Sequence, residues 1–169
     1  MDTLPEPVLP QRPQGRFLGR VAFQQLVRDA FACAAHEGWR EIFISDSNFE
    51  DWPLGERAVC TALQSWARSG RRFTMLAQNF DEVVRRHARF VEWRVTWSHL
   101  VECRAWRSAD PLELPSALYS PEWMMRRLDP LHCSGLSTED AASRIQLHQT
   151  LDASWHKGSP AFASSVLGL

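Results

Sequence analysis

The run Arg40-Glu-Ile-Phe-Ile-Ser45 constrains this chain most. Its short apolar centre reads as a strand, and it leads straight into a polar, acidic stretch, Asp46 to Glu56. Just ahead of it, Phe23, Leu26, Val27, Ala30, Cys33 and Ala34 recur at i, i+3, i+4, i+7 spacing, the apolar stripe of an amphipathic helix. Gly38 is placed to end that helix in a left-handed cap. Helix, glycine and strand within so short a span predict an α/β domain.

The alternation continues. Val59, Cys60, Leu63, Trp66 and Ala67 mark a second helix over residues 55–69, stopped by Gly70. Arg72-Phe-Thr-Met-Leu-Ala77 reads as a second strand and ends in Gln78-Asn79. Residues 80–99 are helical in pattern. Trp93 would share a face with Arg85, Arg86 and Arg89 in an unbroken helix, so a break is expected near Ala88–Phe90. Residues 100–106 alternate as a third strand. The order α-β-α-β-α-β predicts a mainly parallel sheet with helices on both faces. A pocket is then expected at the carboxyl ends of the strands.

The flanks are less regular. Pro5, Pro7, Pro10 and Pro13 predict a disordered arm over residues 1–17, with a single α/β domain over 18–169. Ser116–Tyr119 reads as a short strand, and residues 122–128 fit neither period. Ser137-Thr-Glu-Asp140 opens a last helix as a capping box, with Ala141, Ile145, His148, Leu151 and Trp155 facing inward. The apolar end, residues 159–169, is expected to dock as an edge strand.

Totals exclude several classes. The formal net charge is −1, which argues against nucleic acid and anionic membrane as partners. No apolar run reaches the roughly 20 residues that span a bilayer. The start lacks the charged and apolar regions of a signal peptide, so a cytoplasmic location is expected. Cys33, Cys60, Cys103 and Cys133 form no close pair and read as small buried hydrophobes. Eight tryptophans against one tyrosine demand an aromatic core.

Two clusters carry candidate chemistry. Asp46, Asn48, Glu50, Asp51 and Glu56 follow the first strand. They either turn the chain and cap the next helix, or line a pocket, or ligate a cation, although a calcium loop's spacing is missing. Arg85, Arg86, His87 and Arg89 form the dense basic cluster. They either hold a phosphate or carboxylate, with Trp93 and Trp97 stacking a base, or pair with Asp81, Glu82 and Glu92 on a solvated face. There is no nucleotide-binding glycine motif and no hydrolase elbow.

With Ile42–Ser45 ending in Asp46 and Asn48, the helix Arg57–Arg68, the segment Gly70–Ala77, the helix bearing Arg85-Arg-His-Ala-Arg-Phe90 and the strand Leu100–Arg104, the chain resembles one half of a phospholipase D-like domain. It is similar to small uncharacterised bacterial domains of that type, which show a like histidine and late tryptophan, here His87 and Trp155. That superfamily's signature is His-x-Lys followed, after four residues, by Asp. Residues 106–130, where it belongs, contain neither His nor Lys, and the sole lysine is Lys157. The resemblance therefore implies a phospholipase D-like fold without phosphodiesterase activity. It implies a binding or scaffolding module that pairs as a homodimer, with no cofactor and no metal. Asp46, Asn48, Arg85, His87 and Arg89 are its candidate ligand-binding residues, toward a phosphate-containing ligand. The alternative is an enzyme or binder acting on a phosphorylated or nucleotide ligand through the Arg/His cluster.

Overall fold

The computed structural model describes residues 3–163. Among them an eight-stranded sheet in the order β1-β7-β6-β5-β2-β3-β4-β8 carries five helices. The elements are β1 (Gly15–Phe17), α1 (Arg20–Glu37), β2 (Glu41–Ser45), α2 (Arg57–Ala67), β3 (Arg72–Ala77), α3 (Asp81–Arg86), α4 (Ala88–Thr96), β4 (Val101–Ala105), β5 (Ser116–Tyr119), β6 (Met124–Asp129), β7 (Ser134–Thr138), α5 (Ala141–Lys157) and β8 (Ser159–Pro160).

The expected mainly parallel, phospholipase D-like sheet is corrected by these pairings. Only β2–β3 and β3–β4 run parallel, and the other five pairings are antiparallel. The cause lies after Ala105. Parallel strands need a crossover helix, whereas antiparallel ones need only a tight turn. Helices α1 to α4 separate the early strands, but β5, β6 and β7 are joined by short turns. One of these is Ser120–Trp123, where the Ser120 hydroxyl accepts the Trp123 N–H at 3.0 Å. The meander that results adds to the free side of β2, and Gly15–Phe17 extends it by pairing with β7. Pro13 is tied down next to that strand, its carbonyl accepting the Trp123 indole N–H at 2.8 Å and the Ser137 hydroxyl at 3.0 Å.

Strand alternation sorts the sheet's two faces. Ile42, Ile44, Phe73, Met75, Cys103, Leu118 and Met125 are buried in the cluster that also holds the inner sides of α1, α2 and α4. Its centre is aromatic, as the tryptophan count predicts. Trp39, Trp52, Trp66 and Trp123 are at most 1% exposed. The Trp66 N–H is satisfied by the Trp39 carbonyl at 2.5 Å. Cys33, Cys103 and Cys133 are buried within the same cluster. The opposite face is covered by α5, through Leu147 and Leu151 on Ala117 and Met124, and by the segment after β4, through Ala109 and Leu114 on Leu76.

Two details of α5 differ from expectation. Ser137 and Thr138 belong to β7, so the cap is Asp140, whose carboxylate accepts the Ser143 N–H at 2.9 Å. Shifting the start rotates the buried face to Leu147, Leu151 and Ser154 and leaves Ile145 59% exposed. No helix among the described residues is long and apolar enough to cross a membrane. Residues 164–169 of the expected edge strand lie outside the described residues, while Ser159–Pro160 pairs with β4.

Candidate functional site

The acidic turn after β2 is a lock inside the fold. Asp46 is 2% exposed and has two duties. One carboxylate oxygen accepts the backbone N–H groups of Phe49 at 2.8 Å and Asn48 at 3.2 Å, which closes the turn. The other receives the Arg127 guanidinium at 2.9 Å. Arg127 comes from the middle of β6 and also donates to Ser116 at 3.0 Å, Asp51 at 3.2 Å and the Cys133 sulfur at 3.3 Å. It lies 4.3 Å above the Phe23 ring. Burial lowers its pKa, but Asp46 and Cys133 raise it by more, so the cation is secure. Asn48 accepts the Glu50 N–H at 2.9 Å and shapes the same turn. Phe49 sits at φ 59, a left-handed conformation uncommon away from glycine, with its ring fully buried against Trp52.

The basic cluster grips this loop from the other side. The helix over residues 81–96 breaks at His87, one residue before the expected interval, and the break rests on Gly55. A Cβ there would sit 2.9 Å from the His87 Cα, so only glycine allows the approach. His87 is buried and its Nε2 is 2.9 Å from the Phe49 carbonyl, placing a proton on that nitrogen. Burial lowers its pKa, only partly offset by the Phe49 carbonyl, so the ring is neutral near pH 7. Arg89 donates to the Gly55 carbonyl at 3.1 Å, and Arg86 bonds Glu50 at 3.2 Å and Glu82 at 2.5 Å. Arg85 stays in solvent and pairs with Glu82 at 3.4 Å.

Four of the five expected ligand-binding residues thus converge on one loop, yet the Asp46 carboxylate, the Asn48 side-chain oxygen and the His87 Nε2 are spent on the chain itself. Arg89 differs. Its exposed side chain borders a surface groove of about 460 Å³ between α2 and α4, opposite Arg57. Thr61, Gln64 and Thr96 add hydroxyl and amide groups, and Trp93 forms part of the wall. Arg57, Thr61, Gln64 and Arg68 stand at i, i+4, i+7 and i+11, one polar stripe along α2 about 16 Å long. Arg57 makes no ion pair among the described residues. Glu92 also borders the groove but pairs with neither arginine. Arg57 was legible in sequence as the exposed start of a helix. Only the packing of α4 beside α2 shows that it faces Arg89.

The thiols are poor nucleophiles. Burial pushes Cys33 and Cys60 up to about 11 and Cys103 up to about 12, so all three are protonated at neutral pH. Among the described residues no three His, Cys, Asp or Glu side chains are grouped to hold a metal ion.

No family model matches the chain, and no curated protein matches it. Its fold is similar to a solved structure of TrmBL2, an archaeal chromatin protein that shows a novel mode of DNA binding. The TM-score is 0.64 at 13% identity, over 88% of this chain and 54% of that one. The chain therefore spans about half the length of that protein, and at this identity the likeness shows the fold. Two sequence expectations are corrected by it. A non-catalytic phospholipase D-like scaffold, with an enzyme or binder working through the Arg/His cluster as its alternative, gives way to a fold seen in a DNA-binding chromatin protein. The expectation that nucleic acid is an unlikely partner, drawn from net charge, no longer stands.

Proposed function

We propose that this domain contacts nucleic acid through the groove between α2 and α4, gripping the phosphate backbone with Arg57 and Arg89. The observation that carries this reading is the placement of two exposed arginines across one groove, with neither joined to a carboxylate. Guanidinium forks suit phosphate oxygens, and contacts of this kind position a protein on a duplex without reading its sequence. The fold likeness to a DNA-binding chromatin protein supports the same direction. Net charge counts little here, because phosphate contact is made by a local stripe and not by the global field.

The reading predicts weak, sequence-tolerant and salt-dependent binding. With Arg57, Arg68 and Arg89 engaged, log K falls with log salt at a slope of about −2 to −3 on duplex DNA. Affinity lies in the non-specific range, a Kd of about 10⁻⁴–10⁻⁶ M. Fluorescence anisotropy on a labelled duplex between 20 and 200 mM salt measures the slope. The R57A/R89A variant removes about two from it. Undetectable binding at low salt, or a slope unchanged in the variant, overturns the reading.

A further inference from the structure

On the opposite face of the sheet, beneath α5, lies a smaller cleft of about 100 Å³. The register places its floor in a row. Tyr119 pairs with Phe43, Phe43 with Thr74, and Thr74 with Glu102. Glu41 and Arg72, themselves cross-strand partners, form the next row out. His148, Asp152 and Trp155 project from one side of α5 as the opposing wall. The volume holds several waters, which suits a small molecule and excludes a nucleotide.

The polar groups here are uncommitted, unlike those around Asp46. Thr74 is 6% exposed, and its hydroxyl makes no hydrogen bond among the described residues. Thr74 lines the cleft, where its hydroxyl can donate to and accept from a ligand. Glu41, Glu102 and Arg72 form no ion pair among the described residues, and Asp152 meets only the exposed His156 at 3.7 Å. Three carboxylates stand against Arg72 and the Arg104 guanidinium on Trp155, so the cleft keeps a negative excess. Its apolar surfaces are aromatic: Phe43 and Trp155 meet edge to face at 5.8 Å, and Tyr119 lies 4.9 Å from the His148 ring. Trp155 already carries the Arg104 guanidinium at 4.6 Å, a cation seated on its ring from within the chain.

We propose that this cleft is a binding site for a small organic ammonium compound, a short alkylamine whose charged head meets Glu102 and Asp152 while Thr74 supplies a hydrogen bond at the floor. Aromatic walls favour the cation over a neutral molecule of the same shape. The site lies across the sheet from the α2/α4 groove, so it stands or falls independently of the nucleic-acid reading.

Isothermal titration of the full chain with putrescine tests it, with 1,4-butanediol and succinate as neutral and anionic matches of similar length. Saturable binding of putrescine alone is expected. E102Q/D152N changes only exposed side chains and leaves the fold intact, yet weakens putrescine by about ten-fold or more, the loss of at least one charge-assisted hydrogen bond. T74V keeps shape and weakens binding without lowering the urea midpoint of the free protein. No saturable binding of putrescine, equal binding of butanediol, or affinity unchanged in E102Q/D152N overturns the proposal.

Discussion

Replacing Arg127 with methionine tests whether one buried cation holds the loop after β2. Methionine keeps much of the unbranched stem that covers Phe23 and removes the guanidinium. The Arg127 and Asp46 side chains are each 3% exposed and meet at 2.9 Å. Stripping one partner from such a pair strands a buried carboxylate and costs about 3–5 kcal/mol. Asp46 retains the N–H groups of Asn48 and Phe49, which places the expected loss in the lower half, about 3–4 kcal/mol. A domain stable by about 5–15 kcal/mol still folds after that loss. The double variant R127M/D46N removes the stranded charge as well. It should be more stable than the sum of the single costs implies, by about 1–3 kcal/mol. Urea unfolding followed by tryptophan fluorescence reads all four proteins, since Trp52 and Trp123 are buried beside the loop and the meander. An R127M cost below about 1 kcal/mol, or single costs that simply add, refutes the account of the lock given above.

Three further outcomes are expected. Burial holds the His87 pKa below its ordinary 6.5, so the unfolded chain takes up more protons as pH falls beneath that value. The stability His87 contributes is therefore complete above pH 6.5 and is lost as pH falls through the lower folded value; H87Q should flatten urea midpoints between pH 7.5 and 5, and an unchanged slope counts against the assignment. In G135A a Cβ would lie 2.0 Å from the Arg126 carbonyl oxygen and 2.8 Å from the Arg127 Cα, so β6 and β7 must separate. Its cost reaches or exceeds the upper end of the roughly 1–3 kcal/mol typical of overpacking, read by thermal unfolding. T74V, measured without any ligand, should leave the urea midpoint close to that of the wild type, because the hydroxyl it removes lines the cleft and bonds nothing among the described residues; clear destabilisation would show that Thr74 has a partner in the fold.

Legibility in the sequence followed the range of the forces involved. β2, β3 and β5 occupy the residues expected, because an apolar run bounded by Gly38, Gly70 or Pro115 carries its own local signal. The helix break was visible from a conflict of faces, although its position at His87 is set by the fit against Gly55, which no local pattern records. β6 and β7 were not legible. Met124-Met-Arg-Arg-Leu128 contains a fully buried arginine whose partner, Asp46, lies 81 positions earlier. A charge satisfied at that separation breaks the strand period and erases the signal. The parallel character was overestimated for a related reason. Alternation from α1 to β4 was read correctly, but β1 fell within the arm expected to be disordered, strand direction after Ala105 depends on turn length, and residues 120–123 and 130–133 were not recognised as turns.

The same distinction separates a site from a lock. Asp46 and His87 have the residue types and burial that mark binding groups, and the sequence reading made them candidate ligand-binding residues. In the fold both Asp46 oxygens and the His87 Nε2 already have partners within the chain: the Phe49 and Asn48 N–H groups and Arg127 for Asp46, and the Phe49 carbonyl for His87. A ligand would have to break those bonds, and the loop they close would open with them. Arg57 and Thr74 are unremarkable in sequence, yet they face cavities with their hydrogen-bonding capacity unused, and satisfying them costs the fold nothing. Free capacity directed into an accessible space, and not acidity or density of charge, is therefore the property that locates binding in this domain. It points to opposite faces of one sheet, a basic groove suited to phosphate and an acidic aromatic cleft suited to an amine. A contact made at one face leaves the other free to act.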